Sequence, residues 1–252
     1  MRIFLAGLFG LVLLAPLLWL FLDRPLPEGT AGPQAEECAR RLSEAVGCPA
    51  WEQLGAVEWS FADRRLHLWD RERELLLTRY DQYALFLDLR SGKGLAMRKG
   101  KRLRQPKEAD LLEKGYAWFI NDSFWLNPFC TFTRPEVQRA LVRQEDGREA
   151  LLVTWRSGGV TPGDSYLVHF GPDGLPSRWN MWVQIIPFGG VPASWEGWQR
   201  QQGVAFSSHH RLGPMDLKLE IRAGKTLQEL AGAEDPFAAF VAEFRSESVP
   251  VH

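Results

Sequence analysis

From Ala56 onward the apolar residues recur at every second position, in runs one strand long. Val57–Phe61, Leu66–Asp70, Glu74–Tyr80 and Tyr83–Leu89 are separated only by short polar gaps such as Ala62-Asp63-Arg64, Arg71-Glu72-Arg73 and Asp81-Gln82. A period of two places alternate side chains on opposite faces of a sheet. Gaps that short can join only antiparallel neighbours. Ser91–Gly94 and Lys99–Lys101 flank a further strand at Leu95–Arg98. Strand signals resume at Val137–Val142, Ala150–Trp155, Ser165–Phe170, Ser177–Ile186, Ser194–Gln201, Val204–His210 and Met215–Ala223. In the last run Leu217, Leu219 and Ile221 alternate with Lys218, Glu220 and Arg222, the pattern of a sheet with one wet face. A meander of ten or more strands curls or closes. The sequence therefore predicts a mainly β (α+β) fold: one large curled antiparallel sheet or incomplete β-barrel, with a mid-chain helix and short terminal helices, after one N-terminal transmembrane helix.

The helices are placed by their own period. Ala35–Val46 carries apolar residues at 35, 38, 39, 42, 45 and 46, and Gly47 with Pro49 stops it. In Glu108–Asn121, Leu112, Gly115, Tyr116, Phe119 and Ile120 share a face, and Gly115 permits close approach to a sheet. Tyr116–Phe129 surrounds a polar knot, Asn121-Asp122-Ser123, with large apolar residues. The expectation is a helix that ends at Asn121-Asp122 and becomes a strand at Phe124–Leu126, with the knot capping backbone groups at a buried junction. Near the end, Thr226 and Glu229 match a capping box, and Asp235-Pro236 matches an N-cap followed by proline. The stripe Phe237, Phe240, Val241 and Phe244 must pack on the sheet or at the mouth of a cavity.

Ile3–Leu22 is an unbroken apolar run, and twenty helical residues at about 1.5 Å each span a bilayer core. Arg2 precedes it, which places the remainder on the exported side. The run exceeds a signal-peptide core, and Gly29-Thr30-Ala31 is a poor cleavage site. The reading is an anchor at 1–22, a Pro/Gly-rich tether at 23–33, and a periplasmic β domain at 34–252, on the bacterial inner membrane. Secretion after cleavage is the alternative. In an oxidising compartment Cys38 and Cys48 could pair if the chain folds back after Gly47. That leaves Cys130 as a small buried apolar residue.

The formal net charge of -1 gives no basic footprint for nucleic acid. The body's histidines are His67, His169, His209 and His210, and no metal-ligand spacing joins them. His209 and His210 would face opposite sides of a strand. No nucleophile elbow is present. Ser123 and Ser165 each adjoin an aspartate and would need a histidine brought close by the fold. Asp122 and Asp164 read more simply as acceptors of backbone N–H groups. Gly158–Gly163 lacks the lysine and helix of a phosphate loop and reads as a turn. No cofactor is implied. Eleven tryptophans remain as the strongest compositional signal. Trp118, Trp125, Trp155, Trp179 and Trp182, with Asn121 and Asp122 as polar groups, are the candidates for lining an apolar ligand cavity.

Trp118–Trp125 and Gly158–Tyr166, with His67–Asp70 and Trp179–Trp182, resemble WINDSFW and GGVTPGDSY segments of a group of uncharacterised bacterial exported proteins, over most of residues 50–222. In layout the chain also resembles the LolA/LolB-like lipoprotein-carrier fold. That resemblance implies an incomplete antiparallel barrel with helices over its open side, holding acyl chains. The expected function is a tethered periplasmic protein that binds a lipid or lipoprotein acyl chain. A non-catalytic domain that binds another envelope protein, and a Ser/His/Asp hydrolase near the polar knot, are the alternatives.

Overall fold

The computed structural model describes residues 23–156 and 163–247. The apolar run Ile3–Leu22, most of the turn at 158–163 and the side chain of Phe244 lie outside the described residues. Among the described residues no helix is long and apolar enough to cross a membrane.

Helix α1 (Pro33–Val46) and the short α2 (Cys48–Trp51) lead into six strands: β1 (Ala56–Phe61), β2 (Arg65–Asp70), β3 (Leu75–Tyr80), β4 (Tyr83–Asp88), β5 (Gly94–Arg98) and β6 (Lys101–Arg102). Helix α3 (Lys107–Leu126) and a single 3-10 turn at Phe129–Thr131 follow. Next come β7 (Val137–Arg143), β8 (Glu149–Trp155), β9 (Ser165–Phe170), β10 (Pro176–Trp182), β11 (Val191–Ser194), β12 (Glu196–Gln201) and β13 (Val204–Leu212). The chain finishes with β14 (Met215–Lys218), β15 (Ile221–Gly224), α4 (Leu227–Ala231) and α5 (Ala238–Glu247). The strands form two large antiparallel sheets, and neither closes into a barrel. The single sheet expected from the meander is thereby corrected. Helix α3 and the 3-10 turn intervene between β6 and β7, so those two strands are not ladder neighbours.

The described chain forms two compact units. One takes residues up to 42, 131–195 and 211–215; the other takes 43–130, 196–210 and 216 onward. In the first unit, β7 to β11 pair in sequence order, and Leu212 adds to β11 at Ala193. Trp155, Tyr166 and Trp179 share one face; Ala150, Leu152, Leu167 and Trp182 share the other. The stretch 23–30 is docked on this unit. Thr30 and Leu141 exchange backbone hydrogen bonds of 2.8 and 2.9 Å, and Arg24 and Asp23 hold Gly189.

In the second unit the sheet runs β15-β1-β2-β3-β4-β5-β6. Its cross-strand partners form rows. Trp59, His67, Thr78 and Leu85 lie side by side in one, and Val57, Trp69, Leu76 and Leu87 in the next. Helix α3 covers this face, with Phe119 and Leu126 buried on it. Gly115 allows the approach, since a Cβ there would sit 2.7 Å from Leu85 Cδ1. The opposite face carries Leu68, Leu75, Leu77 and Leu95, covered by Phe237 and Phe240. Of the C-terminal stripe, Phe237, Phe240 and Val241 therefore pack on the sheet.

Two further expectations are corrected. The run Met215–Ala223 is two strands: β14 pairs with β13 and β15 with β1, with a change of partner at Leu219-Glu220. Cys48 is bonded to Cys130, not to Cys38. Gly47 has φ +86, which ends α1 in the left-handed conformation and turns the chain into α2. Cys38 remains a buried free thiol on α1, and burial pushes its pKa up.

Candidate functional site

The polar knot sits inside α3 rather than at its end. The helix continues to Leu126 and stops at Asn127, whose N–H donates to Ser123 O at 3.2 Å, just before Pro128. Asp122 does not cap backbone. Its carboxylate is fully buried and accepts from Arg65 Nε at 2.6 Å, Arg65 Nη2 at 3.0 Å and Asn121 Nδ2 at 2.9 Å. His67 Nε2 lies 2.8 Å from its second oxygen. A carboxylate can only accept, so Nε2 carries the ring proton. In the neutral ring Nδ1 is then bare, and Thr78 Oγ1 donates to it at 2.9 Å. One proton arrangement satisfies the whole chain of bonds. Burial lowers the pKa of His67 and holds it neutral. Burial alone would raise that of Asp122, but the bonds from His67, Arg65 and Asn121 together lower it, so the carboxylate stays ionised.

This network borders an aromatic cluster. Trp59 stacks on His67 at 4.7 Å between ring centroids and tilts against Phe119 at 6.2 Å. Trp69 meets Phe119 edge-on at 5.2 Å and Trp51 at 6.2 Å; Trp51 also meets Phe206 at 6.1 Å. Arg71 lies over Trp51 and Trp69 at 4.3 and 5.1 Å, and its guanidinium donates to Leu54 O at 2.9 Å and to Trp51 O. Arg65 covers Phe61 and Trp118 at 4.9 and 5.4 Å. The buried indole N–H groups of Trp59 and Trp69 have no acceptor among the described residues. A buried polar group without a partner costs about 1–3 kcal/mol, so two in one cluster call for an explanation.

The seven residues singled out from the sequence divide between the units. Trp118, Asn121, Asp122 and Trp125 are on α3 of the second unit. Trp118 is half-buried against Tyr80 at 5.1 Å, Asn121 is exposed apart from its bond to Asp122, and Trp125 lies 5.3 Å from the His210 ring. Trp155, Trp179 and Trp182 belong to the first unit. Trp155 and Trp179 join a ladder of rings, Phe132–Trp155–Tyr166–Trp179–Trp195, with successive centroids 4.7–5.4 Å apart. Trp182 is on the other face of that sheet and donates to Arg24 O at 2.7 Å. Trp59, Trp69 and Phe119, which do come together, are legible only as apolar strand and helix positions.

Among the described residues neither serine is bonded to a histidine. Ser123 Oγ donates to Ile120 O at 3.2 Å, and Ser165 Oγ pairs with Thr154 Oγ1 at 2.8 Å. Asp164 accepts the Gln184 N–H at 3.0 Å. Among the described residues no cluster of three or more His, Cys, Asp or Glu side chains is arranged to hold a metal. A shallow cleft of ≈ 260 Å³ is lined by Tyr83, Arg98, Leu103, Lys107, Asp110, Leu111 and Lys114, and includes none of the seven residues.

The fold and the cluster define a mainly β protein with two open antiparallel sheets and an aromatic interior under one long helix. No family model matches the chain, and no curated protein matches it. Among solved structures it is similar to a DUF1329 family protein from Desulfovibrio piger, at 10% identity and a TM-score of 0.43, over 83% of this chain and 97% of that one.

Proposed function

We propose that this chain is a membrane-tethered binding protein of the bacterial envelope. It holds the acyl group of a lipid or lipoprotein in the aromatic interior beneath α3 and performs no chemistry on it. The observation that carries the reading is the pair of buried indole donors, Trp59 and Trp69, left without acceptors in the aromatic cluster, where Arg71 Nε is a third such donor. Apolar sites bind through their walls and orient through a few placed polar groups. An acyl ester offers what such an interior lacks, a carbonyl acceptor at the end of an apolar chain. The Cys48–Cys130 bond supports an oxidising compartment, and the apolar run Ile3–Leu22 supports a tether. Hydrolysis forms no part of the proposal, because Ser123 and Ser165 bond to Ile120 O and Thr154 Oγ1, and the one hydroxyl bonded to His67, that of Thr78, is fully buried.

The test is native mass spectrometry of the full chain released from detergent, followed by solvent extraction of whatever is bound. The expected result is an acyl lipid at near-unit stoichiometry. Trp59→Phe and Trp69→Phe keep an aromatic ring and remove the donor. Each is expected to weaken binding of an ester lipid about fivefold, the loss of one hydrogen bond. A clean apo mass with no uptake of added fatty acid or phosphatidylglycerol would sink this reading and leave the protein-binding alternative.

A further inference from the structure

The turn between β10 and β11 has an unusual composition for a surface turn. Val183-Gln184-Ile185-Ile186-Pro187-Phe188 has one polar residue in six, where turns are ordinarily built from Gly, Asn, Asp and Ser. Ile185 is 78% exposed, against 45–58% for Leu26, Tyr116 and Met215, the other exposed large apolar side chains among the described residues.

This turn is also where the chain leaves its apolar run. Asp23 follows Leu22 directly. Its carboxylate accepts the Gly189 N–H at 2.7 Å, and the Arg24 N–H donates to Gly189 O at 3.2 Å. The Trp182 indole donates to Arg24 O at 2.7 Å, and Asn180 Nδ2 ties Gly190 O to the strand at 3.0 Å. The junction is close-packed. A Cβ on Gly189 would lie 2.2 Å from Trp182 Cδ1 and 2.8 Å from Arg24 O, and one on Gly190 would lie 2.7 Å from Arg24 Cβ. The base of the apolar turn is therefore fixed within one or two residues, about 4–8 Å of chain, of the end of Ile3–Leu22.

We propose that this turn is a membrane-contacting loop: Ile185, Ile186 and Phe188 enter the interfacial layer of the phospholipid surface in which Ile3–Leu22 is anchored. The inference rests on the tethered reading. Interfacial segments bury apolar side chains about 5–10 Å into the headgroup and acyl boundary, which the fixed distance between turn and anchor allows. The polar neighbours suit the same plane. Arg24 is exposed and has no carboxylate partner among the described residues, so its guanidinium is available to lipid phosphate. Trp182, half-buried with its N–H engaged, is the residue type that favours the interface. The occupant is thus a bilayer surface rather than a protein groove.

The test uses the full chain in vesicles of phosphatidylethanolamine and phosphatidylglycerol. An environment-sensitive fluorophore is attached at Ile185→Cys and, as control, at Glu145→Cys in the β7–β8 turn at the opposite ends of the strands. The unsubstituted chain, whose free thiol Cys38 is buried, gives the labelling background. The expected result is blue-shifted emission at 185 and quenching by shallow lipid-borne nitroxides several-fold above that at 145. Equal quenching of both probes by aqueous iodide, in chain that floats with the vesicles, overturns the loop and leaves the tether standing. Failure to float overturns the tether and the loop together.

Discussion

Asp122 shows how one buried charge can organise its surroundings. It holds Arg65, whose side chain is 16% exposed, and His67, which is fully buried, so its removal would strand both donors. Asp122→Ala is expected to cost about 3–5 kcal/mol in urea unfolding, the usual penalty for breaking a buried pair. Asp122→Asn, which can still accept from His67, should cost less. The pH dependence has a definite sign. The folded pKa of His67 lies below its ordinary 6.5, so the unfolded chain takes up the proton first. The stability from neutral His67 is complete above about pH 6.5 and is lost as pH falls towards the folded pKa. Asp122, lowered from 3.8, adds a further loss at still lower pH. His67→Gln should reduce the change in urea midpoint between pH 7 and pH 5, leaving the share that comes from His169, whose pKa burial also lowers. The acidic knot was visible in the sequence and its partners were not. His67 and Asp122 are 55 residues apart, and only the register of β2 under α3 brings them together.

At the level of elements, local pattern located most strands, but it ran Ser177–Ile186 past the end of β10 at Trp182, merged β14 with β15, and failed at the end of α3. Phe124, Trp125 and Leu126 have strand-like composition, yet they extend a helix. Asp122 bonds sideways to β2, which leaves the backbone free to continue, and tertiary packing overrides the propensity. Cys130 was misread for a similar reason: nothing near it in sequence announces a partner 82 residues away. Gly47 connects these two findings. It stands at φ +86, and a Cβ there would fall 2.2 Å from Gly203 O, a backbone atom that cannot rotate away. Gly47→Ala combines left-handed strain of about 1 kcal/mol with that clash. It is expected to lower stability by at least about 2 kcal/mol and to slow formation of the Cys48–Cys130 bond, read by thiol titration during oxidative refolding.

For the molecule as a whole, each compact unit is assembled from three separate stretches of chain. The meander's local pairings were legible in the sequence, but the returns were not. β15 pairs with β1 across more than 160 residues, because strand composition carries no address. Neither 1–130 nor 131–252 holds a complete unit, so each expressed alone should lack a cooperative thermal transition by circular dichroism. The disulfide closes one of the long loops. Cys130→Ala is expected to destabilise the chain by about 2–5 kcal/mol, with the same shift in midpoint when the intact protein is reduced.

The docking of residues 23–30 has a mechanical consequence. A free flexible linker of eleven residues would let the body wander over a radius of about 18 Å. Here the slack is gone at Asp23, which is bonded to Gly189 at 2.7 Å, and Thr30 is clasped again at Leu141. Whatever grips the chain at residue 22 grips the first unit itself. A load pulled through that point would be felt at the β10–β11 turn before any leash could pay out.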